Sequence, residues 1–138
     1  MSKIKYDMLL MQSISLFENL TRSKVKDCIQ TEEFLVFIVN ENEAAKAIGK
    51  QGANVRRLQD TFKKRIKIVE FSQDKLRFIK NFIAPLQAED IKEENNVIFI
   101  KGKDNKTRGL LIGKNANNLE FLKSAVKRHF EFEDIRVI

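Results

Sequence analysis

Cysteine, histidine, proline and tyrosine occur once each in this 138-residue chain, and tryptophan is absent. The single Cys28 cannot form an intramolecular disulfide, and with the single His129 it falls short of the several ligands that common zinc sites need. We therefore predict no metal site and no cofactor. A serine or cysteine nucleophile would need His129 as its base, but its basic neighbours indicate the end of a helix. We predict a binding protein rather than an enzyme, with Cys28 in the core and His129 solvated or packed.

Long hydrophobic runs are also missing, although apolar residues make up 43% of the chain and suffice for a core. No run approaches the roughly 20 apolar residues that a membrane helix requires. The first residues carry a charge every few positions and lack the apolar stretch of a secretory signal. We expect a cytoplasmic protein with neither a membrane partner nor a small-molecule substrate.

Positive charge is concentrated in two segments. Residues 49–67 hold seven Lys or Arg against one Asp, and residues 101–128 hold eight against one Asp and one Glu. Each segment carries +6 in a chain of net charge +7, so the remainder carries −5. Two separate basic segments favour two contacts with a polyanion. On charge alone, two solvated basic helices remain an equal alternative.

An internal repeat determines the predicted architecture. Residues 47–58 recur at residues 111–122 with a constant offset of 64. Five residues are identical in the two copies: Ile48, Gly49, Lys50, Asn54 and Leu58 match Ile112, Gly113, Lys114, Asn118 and Leu122. Such self-similarity indicates two copies of one structural unit.

The segments around the repeated motif also match in type and order. Apolar periodicity predicts helices over residues 4–20 and 73–84, the second ending near Pro85. β-Branched and aromatic runs predict six strands, at 25–31, 34–39, 66–69, 86–93, 97–100 and 135–138. We predict an α+β fold with domains at residues 1–71 and 72–138. The join near residues 71–73 has no Gly/Ser/Pro-rich linker, which predicts rigidly docked domains.

The turn Gly49-Lys50-Gln51-Gly52 joins two predicted helices and is the main candidate site. Its glycines permit positive backbone dihedrals and the close approach of another backbone. A helix starting near Ala53 should direct unpaired amide groups into the turn, where the helix dipole favours a phosphate. Lys50 adds a charge, and Arg56 and Arg57 lie one turn further on. A lone Gly-x-x-Gly is a weak signal, but its repetition between matching strands is specific.

The second turn, Gly113-Lys114-Asn115-Ala116, has alanine where the second glycine belongs. Alanine resists a positive dihedral, although the loop can still form if that residue is helical. We expect the first loop, with both glycines and the adjacent Arg56 and Arg57, to bind more strongly than the second, whose matching helix positions hold Glu120 and Phe121. Lys106, Arg108 and Lys114 should support the second loop. The segment 109–115 superficially suggests a nucleotide-binding loop. It has three residues between its glycines rather than four, and Asn115 where a magnesium-binding hydroxyl should stand. We therefore reject a nucleotide-binding loop.

This pattern resembles the KH domain, whose Gly-x-x-Gly loop clamps nucleotide backbones. The predicted order α-β-β-α-α-β, with a three-stranded sheet in each copy, is similar to the type II arrangement. Two such units filling the chain, together with the run Phe17-Glu-Asn-Leu-Thr21, resemble the archaeal NusA family of transcription factors. The resemblance implies a single-stranded RNA-binding factor in transcription termination or antitermination, and RNA polymerase as a further partner. Bacterial relatives carry a polymerase-binding domain and an oligonucleotide-binding barrel ahead of the KH pair.

Other functions remain open at the level of the sequence. A second RNA-binding role, in ribosome assembly or translation, fits the same loops. A scaffold whose basic faces meet acidic proteins fits the charge pattern. The eleven phenylalanines fall mostly on predicted apolar faces, so we interpret them as core rather than as a base-stacking surface.

Overall fold

The computed structural model describes residues 7–138. The chain divides into two compact units, one ending at Ser72 and the other beginning at Gln73. Both units run helix, strand, strand, helix, helix, strand, and each contains one three-stranded sheet. The predicted α+β class with two tandem units is confirmed.

The first unit begins with helix α1, Met8–Thr21. Asp7 caps the helix, because its side-chain oxygen Oδ1 accepts a hydrogen bond from the Leu10 amide at 2.7 Å. Arg22 ends the helix in the left-handed conformation. The predicted start of this helix at residue 4 lies outside the described residues.

The first sheet consists of β1 (Val25–Gln30), β2 (Phe34–Val39) and β3 (Arg65–Glu70). Strand β2 lies in the middle, antiparallel to β1 and parallel to β3. Its alternate residues point to one core, where the ring centroids of Phe37 and Phe17 lie 4.1 Å apart. The buried members of this core are Phe17, Cys28, Leu35, Phe37, Val39, Ala47 and Leu58.

Two short helices return the chain from β2 to β3. Helix α2 spans Ala44–Ile48 and helix α3 spans Ala53–Phe62. Each buries one residue in the core just described, Ala47 from α2 and Leu58 from α3. These two anchors place the four intervening residues, 49–52, at the end of the helix pair.

The second unit repeats the arrangement. Helix α4 spans Lys75–Ile83 and is capped by Asp74. Its strands are β4 (Ala88–Glu94), β5 (Val97–Gly102) and β6 (Asp134–Val137), with β5 antiparallel to β4 and parallel to β6. Its helix pair is α5 (Asn105–Ile112) and α6 (Asn117–Lys127). The predicted strands, and the predicted helix before Pro85, agree with the observed bounds within two residues.

An aromatic cluster fills part of the second unit. Phe78 lies 6.1 Å from Phe82 and 5.8 Å from His129 between ring centroids. Phe82 in turn lies 5.9 Å from Phe121. Phe78 and Phe82 are buried, as their interpretation as core requires, and Cys28 is buried as predicted. Of the two alternatives for His129, solvated or packed, the ring contact with Phe78 favours packing. Within residues 7–138, no helix has both the length and the apolar character needed to cross a membrane.

Candidate nucleic-acid interface

The first loop, residues 49–52, connects α2 to α3 through one tight turn over Lys50–Gly52. Three of its residues have positive φ. Gly49 lies at φ 80°, ψ 169°, Gln51 at φ 54°, ψ 31° and Gly52 at φ 75°, ψ 17°. The side chains of Lys50 and Gln51 are exposed at the tip. The predicted turn between two helices is therefore present, with both glycines in conformations that favour glycine.

The second loop, residues 113–116, has the same backbone conformation as the first. Gly113 lies at φ 76°, ψ 173°, Asn115 at φ 55°, ψ 31° and Ala116 at φ 60°, ψ 19°. Each value lies within about 15° of that of its counterpart. Lys114 and Asn115 are exposed. Ala116 takes the left-handed conformation of Gly52 rather than a right-handed helical one, so the alanine does not prevent the loop from forming.

Hydrogen bonds inside each loop pair backbone amides with carbonyls of the same loop. In the first loop the Gly52 amide donates to the Gly49 carbonyl at 3.1 Å, and the Ala53 amide donates to the Lys50 carbonyl. In the second, the Ala116 amide donates to the Gly113 carbonyl at 3.2 Å. The unpaired amides predicted at the start of α3 therefore do not include that of Ala53. The internal bonds hold the turn closed and leave the exposed side chains at its tip.

Arg56 folds back on the first loop. Its guanidinium nitrogen Nη1 donates to the Gln51 carbonyl at 2.6 Å, so the arginine supports the loop and also places a positive charge beside it. Arg57 is exposed on the next position of α3. The structure thus places Arg56 against the first loop, which presents Lys50 at its tip, while the role of Arg57 stays a prediction.

The second loop has different neighbours. Glu120 occupies the position equivalent to Arg56, and its carboxylate lies 3.2 Å from the Lys123 ammonium. Lys123 also pairs with Asp134 at 2.9 Å, and these hydrogen bonds raise the pKa of Lys123 and lower that of Asp134. Phe121, equivalent to Arg57, packs on Phe82. Only the tip of the second loop matches the first in charge.

Lys106 and Arg108 are exposed on α5 but do not lie at the loop tip. Lys106 precedes Gly113 by seven residues, which is about 10 Å along a helix. The backbone of Arg108 lies beside the end of β5, because a Cβ atom built on Gly102 would approach the Arg108 nitrogen to 3.0 Å. The structure therefore separates these two predicted contacts from Lys114 and Asn115.

Asn54 and Asn118 belong to this region and were given no role from the sequence. Each lies in the first turn of the helix after its loop, and each side chain hydrogen-bonds the helix before it. The signal was available, since Asn54 recurs as Asn118 in the repeat. Among residues 7–138, no group of three or more His, Cys, Asp or Glu side chains is placed to hold a metal ion.

Comparison with known proteins gives one family. A model of the KH domain matches residues 12–92, more than half of the chain. The Probable transcription termination protein NusA of Methanocaldococcus jannaschii is 34% identical, over all of this chain and 77% of the relative. The protein of that name from Thermoplasma acidophilum is 28% identical over 99% of this chain and 97% of the relative. The crystal structure of APE1850 has a TM-score of 0.72 and 29% identity, and covers 93% of this chain and 96% of that one.

Proposed function

Because this chain belongs to the KH-domain family and, within it, to the archaeal NusA proteins, we propose that it binds single-stranded RNA as a transcription termination or antitermination factor acting on nascent transcripts. Its relatives carry transcription termination in their names. That shared name favours transcription over ribosome assembly or translation.

The observation that carries the proposal is the geometric identity of the two loops. Two turns 64 residues apart have the same backbone dihedrals and present a lysine and a carboxamide at the tip. A lysine is a mobile point charge suited to a phosphate. A carboxamide can donate to phosphate or sugar oxygens. In contacts with phosphate and sugar neither group reads a base edge, so the loops suit backbone binding that tolerates many sequences.

The partners follow from this geometry and from the family. Single-stranded RNA is the first proposed partner. The first loop would bind it through residues 49–52 with Arg56 and Arg57, and the second loop through residues 113–116. RNA polymerase is the second proposed partner, and it rests on the family alone. A pull-down from cell extract treated with nuclease tests it, because polymerase retained without RNA would indicate direct contact.

We further propose that the protein has no catalytic activity. Purified protein is expected neither to hydrolyse nucleotides nor to cleave RNA, since its site consists of lysine, carboxamide and glycine without a nucleophile–base pair. Reproducible turnover that one substitution abolishes would overturn this part of the proposal.

RNA binding at the loops is tested with charge-reversed variants. Lys50→Asp with Gln51→Asp, combined with Lys114→Asp and Asn115→Asp, places four carboxylates where phosphates should lie. We expect this variant to lose binding to a short single-stranded RNA in fluorescence anisotropy, and to lose its effect on termination in transcription with purified polymerase. The matched control for either loop pair makes the same two changes at Lys80 and Gln87, which are exposed outside the loops. Equal affinities for wild type and the loop variant would refute the site.

A further inference from the structure

One asparagine in each domain joins the two helices that flank the loop. The Asn54 side-chain nitrogen Nδ2 donates to the Lys46 carbonyl, in α2, at 3.2 Å. In the second domain, Asn118 Nδ2 donates to the Leu110 carbonyl, in α5, at 2.8 Å. Each bond connects the first turn of one helix to the end of the other across the intervening loop. The two bonds are equivalent, since Lys46 and Leu110 are also 64 residues apart.

The same asparagines pack against the first glycine of each loop. A Cβ atom built on Gly49 would lie 2.9 Å from Asn54 Cγ, and one built on Gly113 would lie 2.6 Å from Asn118 Cγ. Real Cβ atoms do not approach carbon so closely. Each glycine and the asparagine five residues later therefore form a matched pair, in which the carboxamide occupies the space that a side chain on the glycine would need.

We propose that Asn54 and Asn118 are positioning residues that hold each loop in its RNA-binding shape before RNA arrives. The proposal rests on the proposed function, because it assigns these residues to the loops that bind RNA. A loop already fixed by its neighbours loses less conformational entropy on binding, which raises affinity without any added contact. Asparagine suits this role because its short carboxamide both donates to the carbonyl and fits over the glycine.

Two substitutions at each asparagine remove its hydrogen bond. Asn54→Asp keeps the shape but has no donor when ionised, whereas Asn54→Ala removes donor and shape together. The same changes at Asn118 repeat the test in the other domain. Asn117→Ala is the matched control, because it removes a neighbouring asparagine from the same helix turn and creates the alanine that the first domain already has at Ala53.

Two measurements are needed. The first is the affinity for a short single-stranded RNA, at a temperature where circular dichroism shows wild type and variant equally folded. The second is backbone amide exchange at residues 50–53 and 114–117 without RNA. We expect each Asn54 and Asn118 variant to lose about three- to tenfold in affinity, the value of one hydrogen bond. Exchange should become faster in the affected loop alone, and Asn117→Ala should match wild type.

Three results would overturn the proposal. The first is unchanged affinity in the Asn54 and Asn118 variants while the charge-reversed loop variant loses binding. The second is unchanged exchange at the loop amides. The third is a loss of affinity no larger than the loss of folded protein in the same variant, which would show that the asparagines stabilise the fold in general. If a variant at one asparagine does not fold, the equivalent variant in the other domain decides. Failure of the proposed function is distinguishable, because the charge-reversed variant would then bind normally while the exchange test still applies.

Discussion

At the scale of single residues, the positions within a loop differ in which amino acids their backbone admits. Gly49 and Gly113 combine φ near 80° with extended ψ, a region essentially restricted to glycine. Gly52 and Ala116 lie in the left-handed helical region, where alanine costs about 1–2 kcal/mol but is sterically feasible. This difference explains why the second loop has alanine at its fourth position but retains glycine at its first.

Replacing Ala116 with glycine should stabilise the protein. The change removes the left-handed strain of about 1–2 kcal/mol, and the greater freedom of glycine in the unfolded chain offsets about 0.4–1 kcal/mol of that gain. We expect a net gain of about 0.5–1 kcal/mol, measured by urea unfolding. Ala53→Gly is the control, because Ala53 has ordinary helical dihedrals and the same substitution should destabilise there. A loss of stability in both variants would contradict the left-handed conformation of Ala116.

The two glycines of the first loop should respond differently to alanine. Gly52→Ala should cost about 0.5–1 kcal/mol, the reverse of the gain expected for Ala116→Gly. The new Cβ adds no clash, since its nearest atom is Arg56 Nη1 at 3.5 Å, an ordinary contact. Gly49→Ala should cost more, since its Cβ would lie 2.9 Å from Asn54 Cγ and 3.0 Å from the Asn54 nitrogen. Chemical unfolding followed by circular dichroism measures both. Equal costs would show that the close approach to Asn54 does not occur in solution.

At the scale of elements, the two loops share a shape but differ in charge. The sequence ranked the loops on two differences, Ala116 and the residues that follow each loop. Because Ala116 takes the same conformation as Gly52, the ranking now rests on the residues that follow. Arg56 and Arg57 add positive charge beside the first loop, whereas Glu120 adds negative charge at the equivalent position of the second. The arginines attract a phosphate, whereas Glu120 repels it. We therefore expect the first loop to bind RNA more strongly.

Charge reversal of one loop at a time tests this ranking. We expect Lys50→Asp with Gln51→Asp to weaken RNA binding about tenfold or more, the value of one hydrogen bond to a charged group. Lys114→Asp with Asn115→Asp should weaken it less. All four residues are exposed, so both variants should fold, which circular dichroism checks before anisotropy on one short RNA. A larger decrease in affinity for the second variant would reverse the ranking.

Helices and strands were predictable because their signals are local. The alternation in β3 and the apolar spacing in α4 each report one buried face, and Pro85 marks the end of α4. The backbone hydrogen bonds that close each loop were less predictable, because the sequence does not show which carbonyl accepts a hydrogen bond from each amide. The contacts of Asn54 and Asn118 depend on how closely the two helices on either side of each loop pack. That distance cannot be read from the sequence. The recurrence of these residues was visible, but their partners were not.

At the scale of the whole molecule, each of the two similar domains contains one basic segment. Each segment contains one loop and carries a net charge of +6. The domain boundary between residues 71 and 72 and the rigid docking of the domains stay predictions from the sequence. The charge pattern has a consequence that does not depend on docking, because every phosphate neutralised by either domain releases counterions from the RNA.

RNA affinity should therefore fall steeply as salt concentration rises. For single strands, the logarithm of the binding constant falls by about 0.7 per neutralised phosphate for each tenfold rise in salt. A protein that neutralises about four phosphates would bind about fiftyfold more weakly at about 200 mM salt than at about 50 mM.

The Lys50→Asp, Gln51→Asp variant should show a shallower slope, by about 0.7 for each phosphate that it no longer neutralises. The Lys80→Asp, Gln87→Asp variant, with the same change in charge, should keep the wild-type slope, because its residues lie outside the loops. Anisotropy titrations over this salt range measure all three slopes. An affinity independent of salt would rule out phosphate binding by the loops, and equal slopes in all three proteins would place the phosphate contacts elsewhere on the basic segments.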